Sequence, residues 1–115
     1  MNHCCVQVEL KLNVSADEWR EACRSAVPVM LAVSGLRWKV WVLDEEAGTA
    51  GGFYLFRDRA SADAYAEGPV IAALRGSPAV REVRVRLFPV LDEISQLTRA
   101  FGAAKEQEVR LDLVG

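Results

Sequence analysis

Two neighbouring stretches of the sequence decide the fold: Gly35-Leu36-Arg37-Trp38-Lys39-Val40-Trp41 and Gly51-Gly52-Phe53-Tyr54-Leu55-Phe56. Both are rich in aromatic and aliphatic residues, and a short acidic segment containing glycine joins them. The pattern predicts a hairpin of two strands, over residues 36–44 and 52–57. Because aromatic residues occupy both faces of these strands, we expect a sheet covered on both sides, by the chain's helices on one side and by a partner or ligand on the other.

The segments before the hairpin predict a strand and then a helix. Residues 4–12 alternate between apolar and polar side chains, which is typical of a strand with one face toward a core. Ser15 and Glu18 have the spacing of a capping box, in which each side chain satisfies a free backbone N–H at the start of a helix. Apolar residues then recur every three or four positions over residues 16–33. Pro28 lies inside this helix, and we expect it to kink the helix or break it into two pieces.

The segments after the hairpin repeat the same order. Asp58 is placed to cap a second helix, which Gly68-Pro69 is expected to divide into two segments. Residues 79–90 alternate again and predict a fourth strand. A short helix over residues 93–100 and a tail complete the chain, and the tail either adds a strand or frays.

The predicted order, β-α-β-β-α-β, is that of an α+β ferredoxin-like fold, a four-stranded antiparallel sheet with two helices on one face. We expect one such domain over residues 1–100, followed by a C-terminal tail over residues 101–115. Strict alternation along the second strand places Trp38 on the helix side of the sheet, and Trp41 on the other side with Lys39. Trp41 and Phe88 are then candidates for a homodimer interface, because pairing of two copies would hide this apolar face.

Size and charge restrict the class of protein. The chain has 115 residues, of which 51% are hydrophobic and 26% charged, and its formal net charge is −2. These values are typical of a single globular domain. The basic residues form no stripe that would follow a phosphate backbone, which argues against a nucleic-acid partner. No stretch is long and apolar enough for a signal peptide or a membrane span, so we expect a cytoplasmic protein that does not contact membranes.

Few residues offer nucleophilic or metal-binding chemistry. His3 is the only histidine, and three cysteines make a disulfide framework improbable. His3 and Cys5 have the spacing of two metal ligands on one strand face, but no third or fourth ligand follows, and we favour a frayed terminus. Cys23 lies on the apolar side of the first helix, where a buried structural thiol is favoured over a nucleophile. We therefore expect no metal site.

Several runs together resemble the YdhR family of mono-oxygenases: Gly35-Leu36-x-Trp38-Lys39-Val40-Trp41, Ala50-Gly51-Gly52-Phe53-Tyr54-Leu55-Phe56, Asp58-x-x-Ser61-Ala62-x-Ala64-Tyr65, and the strand ending near Phe88 with Leu91 and Ile94-Ser95 after it. The similarity covers about residues 6–97. It implies a dimeric α/β-barrel, in the superfamily of the small antibiotic-biosynthesis mono-oxygenases that oxidise polycyclic aromatics without metal or flavin.

The expected function is cofactor-independent mono-oxygenation of a small aromatic or polycyclic substrate in an apolar pocket between sheet and helices. Neither a dinucleotide-binding fingerprint nor a set of ligands for haem or iron is present, so no cofactor is expected. The alternative is a non-catalytic or stress-associated dimeric module that holds a small hydrophobic ligand. The candidate pocket residues are Trp38 and Tyr54 as hydrogen-bond donors, Phe56 and Tyr65 as walls, and Arg84 and Arg86, which either offset negative charge or pair with Glu9.

Overall fold

The computed structural model describes residues 2–102, which form a sheet with three helices on one face, while the end of a fourth, short helix and the residues after it lie against the other face. The elements in chain order are β1 (Cys4–Leu12), α1 (Ala16–Leu31), β2 (Leu36–Asp44), β3 (Thr49–Phe56), α2 (Arg59–Ala66), α3 (Pro69–Gly76), β4 (Val80–Pro89) and α4 (Asp92–Leu97). The four strands pair antiparallel in the order β2-β3-β1-β4. The predicted ferredoxin-like fold is therefore confirmed.

The core lies between the sheet and the helices. On the inner strand β1, Val6, Val8 and Leu10 are buried and alternate with more exposed side chains. Ile71 from α3 and Ala62 from α2 cover this face from above. The alternation along β1 therefore separates a helix-covered face from an open face.

The helix boundaries follow local hydrogen bonds. The Ser15 hydroxyl accepts the Glu18 N–H at 3.2 Å, which is one half of the predicted capping box. The Glu18 carboxylate accepts from the Ser15 hydroxyl at 3.3 Å rather than from a backbone N–H. Asp58 caps α2 by accepting the Ser61 N–H at 2.8 Å. The expected division at Gly68-Pro69 is confirmed, because α2 ends before it and α3 begins at Pro69. At Pro28, where a kink or a break was expected, the helix is not broken: α1 continues to Leu31, although proline supplies no N–H to the helix.

A β-bulge in β2 changes which side chains face the helices. Leu36 pairs with Phe56, but Trp38 pairs with Leu55, so Arg37 is an extra residue without a partner in β3. Since side chains alternate along a strand, one extra residue moves every later side chain to the opposite face. The prediction that placed Trp38 on the helix side, with Lys39 on the open face, is therefore wrong. Trp38 lies on the open face, and Lys39 lies on the helix side.

The N-terminus is held against α4. The His3 N–H donates to Asp92 Oδ1 at 2.9 Å, and His3 Nδ1 lies 2.8 Å from Asp92 Oδ2. The His3 ring also stacks on Phe101, with 4.2 Å between the ring centroids. The prediction of a frayed start is therefore wrong, because backbone and side chain of His3 are both fixed by α4. The predicted tail over residues 101–115 lies outside the described residues, apart from Phe101 and Gly102.

None of the helices within residues 2–102 has the length and apolar character needed to cross a membrane.

Close approach of β3 to β1 depends on Gly51, and this can be tested. Gly51 has a φ of +149°, and a β-carbon there would overlap the carbonyl oxygen of Val8. Replacing Gly51 with Ala should lower the free energy of unfolding by more than about 3 kcal/mol, because backbone strain and steric overlap add. Urea denaturation followed by circular dichroism would measure the loss.

Gly76→Ala is the matched control. It lies at the end of α3 with open space around it, so its effect should stay within about 0.5 kcal/mol. Equal stability of Gly51→Ala and the wild type would contradict the observed strand approach.

Candidate functional site

An apolar cavity of about 590 Å³ lies between the sheet and helices α1 and α3. It exists because the helix layer does not close: Met30 is the buried residue of α1, and Pro69 at the start of α3 lines the opening. This volume is in the range that holds small organic ligands. The walls are formed by aliphatic and aromatic side chains, including Val8, Leu10, Trp19, Met30, Trp41 and Tyr54.

Two tyrosines form a buried hydrogen-bonded pair at one wall. The Tyr65 hydroxyl donates to the Tyr54 hydroxyl at 3.0 Å, and the two ring centroids are 5.0 Å apart. Tyr54 faces the cavity, while Tyr65 and the fully buried Phe56 pack behind it. Burial raises the pKa of Tyr54 far above its ordinary value, and the neighbouring Tyr65 adds a smaller increase. Tyr54 therefore remains a neutral phenol, able to donate or accept a hydrogen bond but not to act as a base.

Lys39 brings a charge to this apolar wall. Its Nζ lies 3.4 Å from the centroid of the Trp41 ring and 4.7 Å from that of Tyr54. Burial lowers the pKa of Lys39 from 10.5 to about 8, because the ammonium loses hydration in the cavity. Contacts with the two ring faces offset part of this loss through cation–π attraction. Among the described cavity-lining residues Lys39 is the only charged one.

Cys23 of α1 also lines the cavity, and it is half-buried. The predicted buried structural thiol is therefore only partly buried, because its side chain borders the cavity. Burial raises the pKa of the Cys23 thiol, and the nearby Lys39 opposes this only in part. Cys23 is therefore a protonated, weakly polar part of the wall and is not activated as a nucleophile.

The structure brings together three of the predicted pocket residues. Tyr54, Phe56 and Tyr65 lie on the helix side as one aromatic cluster, although only Tyr54 lines the cavity. Trp41, predicted for a dimer interface, lies on the helix side instead and lines the cavity. The reason for assigning it to an interface therefore fails, since the bulge at Arg37 moves it away from the open face.

The other three predicted pocket residues lie on the open face. Trp38 is 39% exposed there, and its indole N–H donates to the Ala100 carbonyl at 3.1 Å. It borders a separate pocket beneath α4. Arg84 pairs with Glu82 at 3.1 Å, rather than with Glu9 as the simpler alternative expected. Arg86 lies on the same side, with its guanidinium carbon 5.2 Å from the centre of the Phe88 ring. None of these three side chains lines the cavity between the sheet and helices α1 and α3.

Sequence reasoning missed Lys39 as a cavity residue, together with Trp19 and Met30. Trp19 and Met30 were visible as members of the apolar side of α1. Strict alternation along β2 assigned Lys39 to the open face of the sheet. Because β2 carries large apolar residues at both odd and even positions, its pattern alone could not reveal the bulge. The one available signal was the unusual placement of a lysine between two tryptophans.

The geometry predicts different effects for the two tryptophans of β2. Trp41→Leu should weaken binding of the neutral apolar probe N-phenyl-1-naphthylamine about tenfold, because the cavity loses an aromatic wall. Trp38→Leu is the matched control and should leave binding in this cavity unchanged. Fluorescence titration of the probe would measure both. A larger loss with Trp38→Leu than with Trp41→Leu would contradict the face assignment.

Residues 2–102 include no group of three or more His, Cys, Asp or Glu side chains close enough together to hold a metal ion.

Solved structures with the same fold come from several bacteria. The NE2512 protein of unknown function from Nitrosomonas europaea is 22% identical, with a TM-score of 0.66, and the match covers 79% of this chain and 91% of that one. SnoaB from Streptomyces nogalater, named as a cofactor-independent oxygenase, is 9% identical with a TM-score of 0.61, covering 78% and 94%. At such identities the likeness shows the fold alone.

A Mesorhizobium loti protein described as a dabb family protein with a ferredoxin-like fold is 17% identical, with a TM-score of 0.58, and the match covers 79% of this chain and 99% of that one.

No curated protein matches the sequence. A family model described as "Putative mono-oxygenase ydhR" matches residues 5–101, which is most of the chain. The chain therefore belongs to the ydhR family.

Proposed function

We propose that the protein catalyses cofactor-independent mono-oxygenation of a small aromatic substrate bound in the cavity between α1, α3 and the sheet. The observation that carries this proposal is the cavity itself, an apolar space of about 590 Å³ with aromatic walls and one amine. Family membership and the shared fold of SnoaB support the reaction class by analogy.

The chemistry requires that the substrate supply the electrons. With an anthrone, loss of a proton gives an electron-rich carbanion that transfers electrons to O₂, and the adduct yields a quinone and one water molecule. The protein would hold the ring and stabilise negative charge on its oxygen. In this mechanism Tyr65 donates its hydrogen bond to the Tyr54 hydroxyl, 3.0 Å away, and the Tyr54 O–H donates to that oxygen. The apolar walls would keep water from the reactive intermediate.

A non-catalytic binding module is the second candidate, and one observation favours it. The hydroxyls of Tyr54 and Tyr65 are bonded to each other, and burial raises the pKa of the Cys23 thiol. Proton transfer in the cavity would therefore depend on Lys39. If the amine only balances the charge of a ligand, the same cavity would hold an aromatic molecule without turning it over.

Oxygen consumption separates the two candidates. With a panel of anthrones and hydroquinones, the wild-type protein should consume O₂ in proportion to substrate and in a saturable manner. Trp41→Leu should reduce kcat/KM at least about tenfold, because the ring is held less well. Trp38→Leu should retain the wild-type rate. Binding of these compounds without O₂ uptake above the buffer rate would reject the oxygenase and favour the binding module.

We also infer that two copies pair through the open face of the sheet. This face carries large apolar side chains that are half-exposed, Trp38, Val40, Val42, Phe53 and Phe88. An apolar patch of this kind on a single domain is typical of an interface. Isologous pairing would cover it in both copies and would leave the cavities on the outer, helix-covered sides.

A charge at the centre of this face tests the dimer. Phe53 is 46% exposed on β3, so Phe53→Asp should leave the fold intact but place an unpaired carboxylate between the copies. Analytical ultracentrifugation should show a dimer for the wild type and a monomer for the variant. Leu31→Asp at the end of α1, where Leu31 is 81% exposed, should remain dimeric. A monomeric wild type at micromolar concentration would reject the interface.

A further inference from the structure

Lys39 has no acidic partner among the described residues, although its surroundings call for one. None of the ion pairs within residues 2–102 includes Lys39, and its Nζ lies over the rings of Trp41 and Tyr54. Long lysine side chains usually extend their ammonium group into water. This one ends above two aromatic ring faces at the wall of an apolar cavity. Such a cation is incompletely compensated until a ligand supplies negative charge.

The groups around Lys39 do not supply that charge. Cys23 faces it from α1, and burial raises the pKa of this thiol. Tyr54 faces it from β3, and its pKa is also raised by burial. From β1 and α3 the lining side chains are apolar, among them Val8, Leu10 and Val70. In its resting state the described part of the cavity therefore contains one basic group and no anion.

We propose that Lys39 forms an anion subsite, which makes the cavity selective for aromatic ligands with an acidic hydroxyl group, such as a phenol, a naphthol or an enol. The ligand's oxygen would lie against Nζ, and its ring against Trp41 and Tyr54. This inference rests on the proposed function insofar as it names the substrate class of the same cavity. It concerns only which ligands the cavity binds, however, so it does not require that the protein consume oxygen.

The proton balance explains why a hydroxyl fits better than a carboxylate. A carboxylic acid is already ionised in water, so its charge would have to leave water before reaching Lys39. A phenol enters neutral. Its O–H bond then breaks, the electron pair stays on the ligand's oxygen, and the lone pair of neutral Lys39 takes the proton. Charge thus appears only where the two ions are already paired, and the net charge of the complex does not change.

Lys39 is suited to this transfer at pH values near neutrality. Burial lowers the pKa of Lys39 to about 8, so a useful fraction of the amine is neutral there. An ordinary lysine would be almost entirely protonated. The lowered pKa also lies below that of a typical phenol, which is about 10. Transfer therefore depends on the ion pair formed in the cavity, and a ligand that cannot ionise gains nothing from Lys39.

A matched pair of probes tests the proposal under anaerobic conditions. 2-Naphthol can ionise, whereas 2-methoxynaphthalene has nearly the same shape and cannot. The absorbance of bound naphthol reports directly whether it is the phenol or the phenolate. In the wild type, the pKa of bound 2-naphthol should fall by about one unit or more, because an opposite charge lies within contact distance. Lys39→Met should abolish this fall and bind 2-naphthol about tenfold more weakly.

Two controls separate charge recognition from structure. Both Lys39→Met and the wild type should bind 2-methoxynaphthalene equally, which shows that the cavity remains intact. Lys39→Arg keeps the charge but cannot accept a proton. At a pH above the pKa of Lys39 and below that of free 2-naphthol, this variant should release a proton to a weakly buffered solution on binding. The wild type should release almost none.

The outcomes also distinguish this inference from the proposed function. If 2-naphthol binds as the neutral phenol, or binds Lys39→Met and the wild type equally, the anion subsite is rejected even if the protein consumes O₂ with anthrones. If 2-naphthol binds as its phenolate and depends on Lys39, the subsite is supported even if no tested compound is oxidised.

Discussion

The pairing of β2 with β3 leaves one extra residue, Arg37, without a partner, and the side chains that follow it on β2 depend on that single insertion. Backbone hydrogen bonds continue past the bulge, so β2 remains paired with β3, but its side chains now lie on the opposite faces of the sheet. Without the bulge, Lys39 and Trp41 would lie on the open face and Trp38 would lie beneath the helices. The bulge therefore determines that the cavity contains an amine and an indole ring next to Tyr54.

The cavity results from unequal packing of the two helical segments above the sheet. Helices α2 and α3 contribute Ala62, Tyr65 and Ile71 to the core, whereas α1 contributes Met30. On the helix side of the sheet, the region beneath α2 and α3 is thus tightly packed, whereas the region beneath α1 contains the cavity. Tyr54 lies between these two regions. A space lined by apolar side chains would favour any hydrophobic molecule of suitable size. Lys39 adds selectivity, because a desolvated cation discriminates strongly between ligands with and without negative charge.

Most of the fold was predictable because its signals are local. The alternation of residues 4–12, the capping box at Ser15 and the division at Gly68-Pro69 all follow from the residues themselves. The aromatic cluster of Tyr54, Phe56 and Tyr65 was also predictable, since two of its members share parity on one strand. The face of the sheet that each β2 side chain occupies was not predictable. The bulge depends on pairing with β3, and it does not change the sequence pattern of a strand that is apolar on both faces. The contact of His3 with Asp92 likewise joins residues from opposite ends of the described chain.

Nuclear magnetic resonance would show whether the Lys39 side chain lies inside the cavity. With ¹³C-labelled lysine, the ε-methylene protons of Lys39 should show nuclear Overhauser effects to the rings of Trp41 and Tyr54, since Nζ lies 3.4 Å and 4.7 Å from their centroids. Their resonances should shift upfield through ring currents, and the ε-carbon should titrate with a pKa of about 8. Contacts with open-face side chains such as Phe53, together with an ordinary lysine pKa near 10.4, would instead place Lys39 on the open face and outside the cavity.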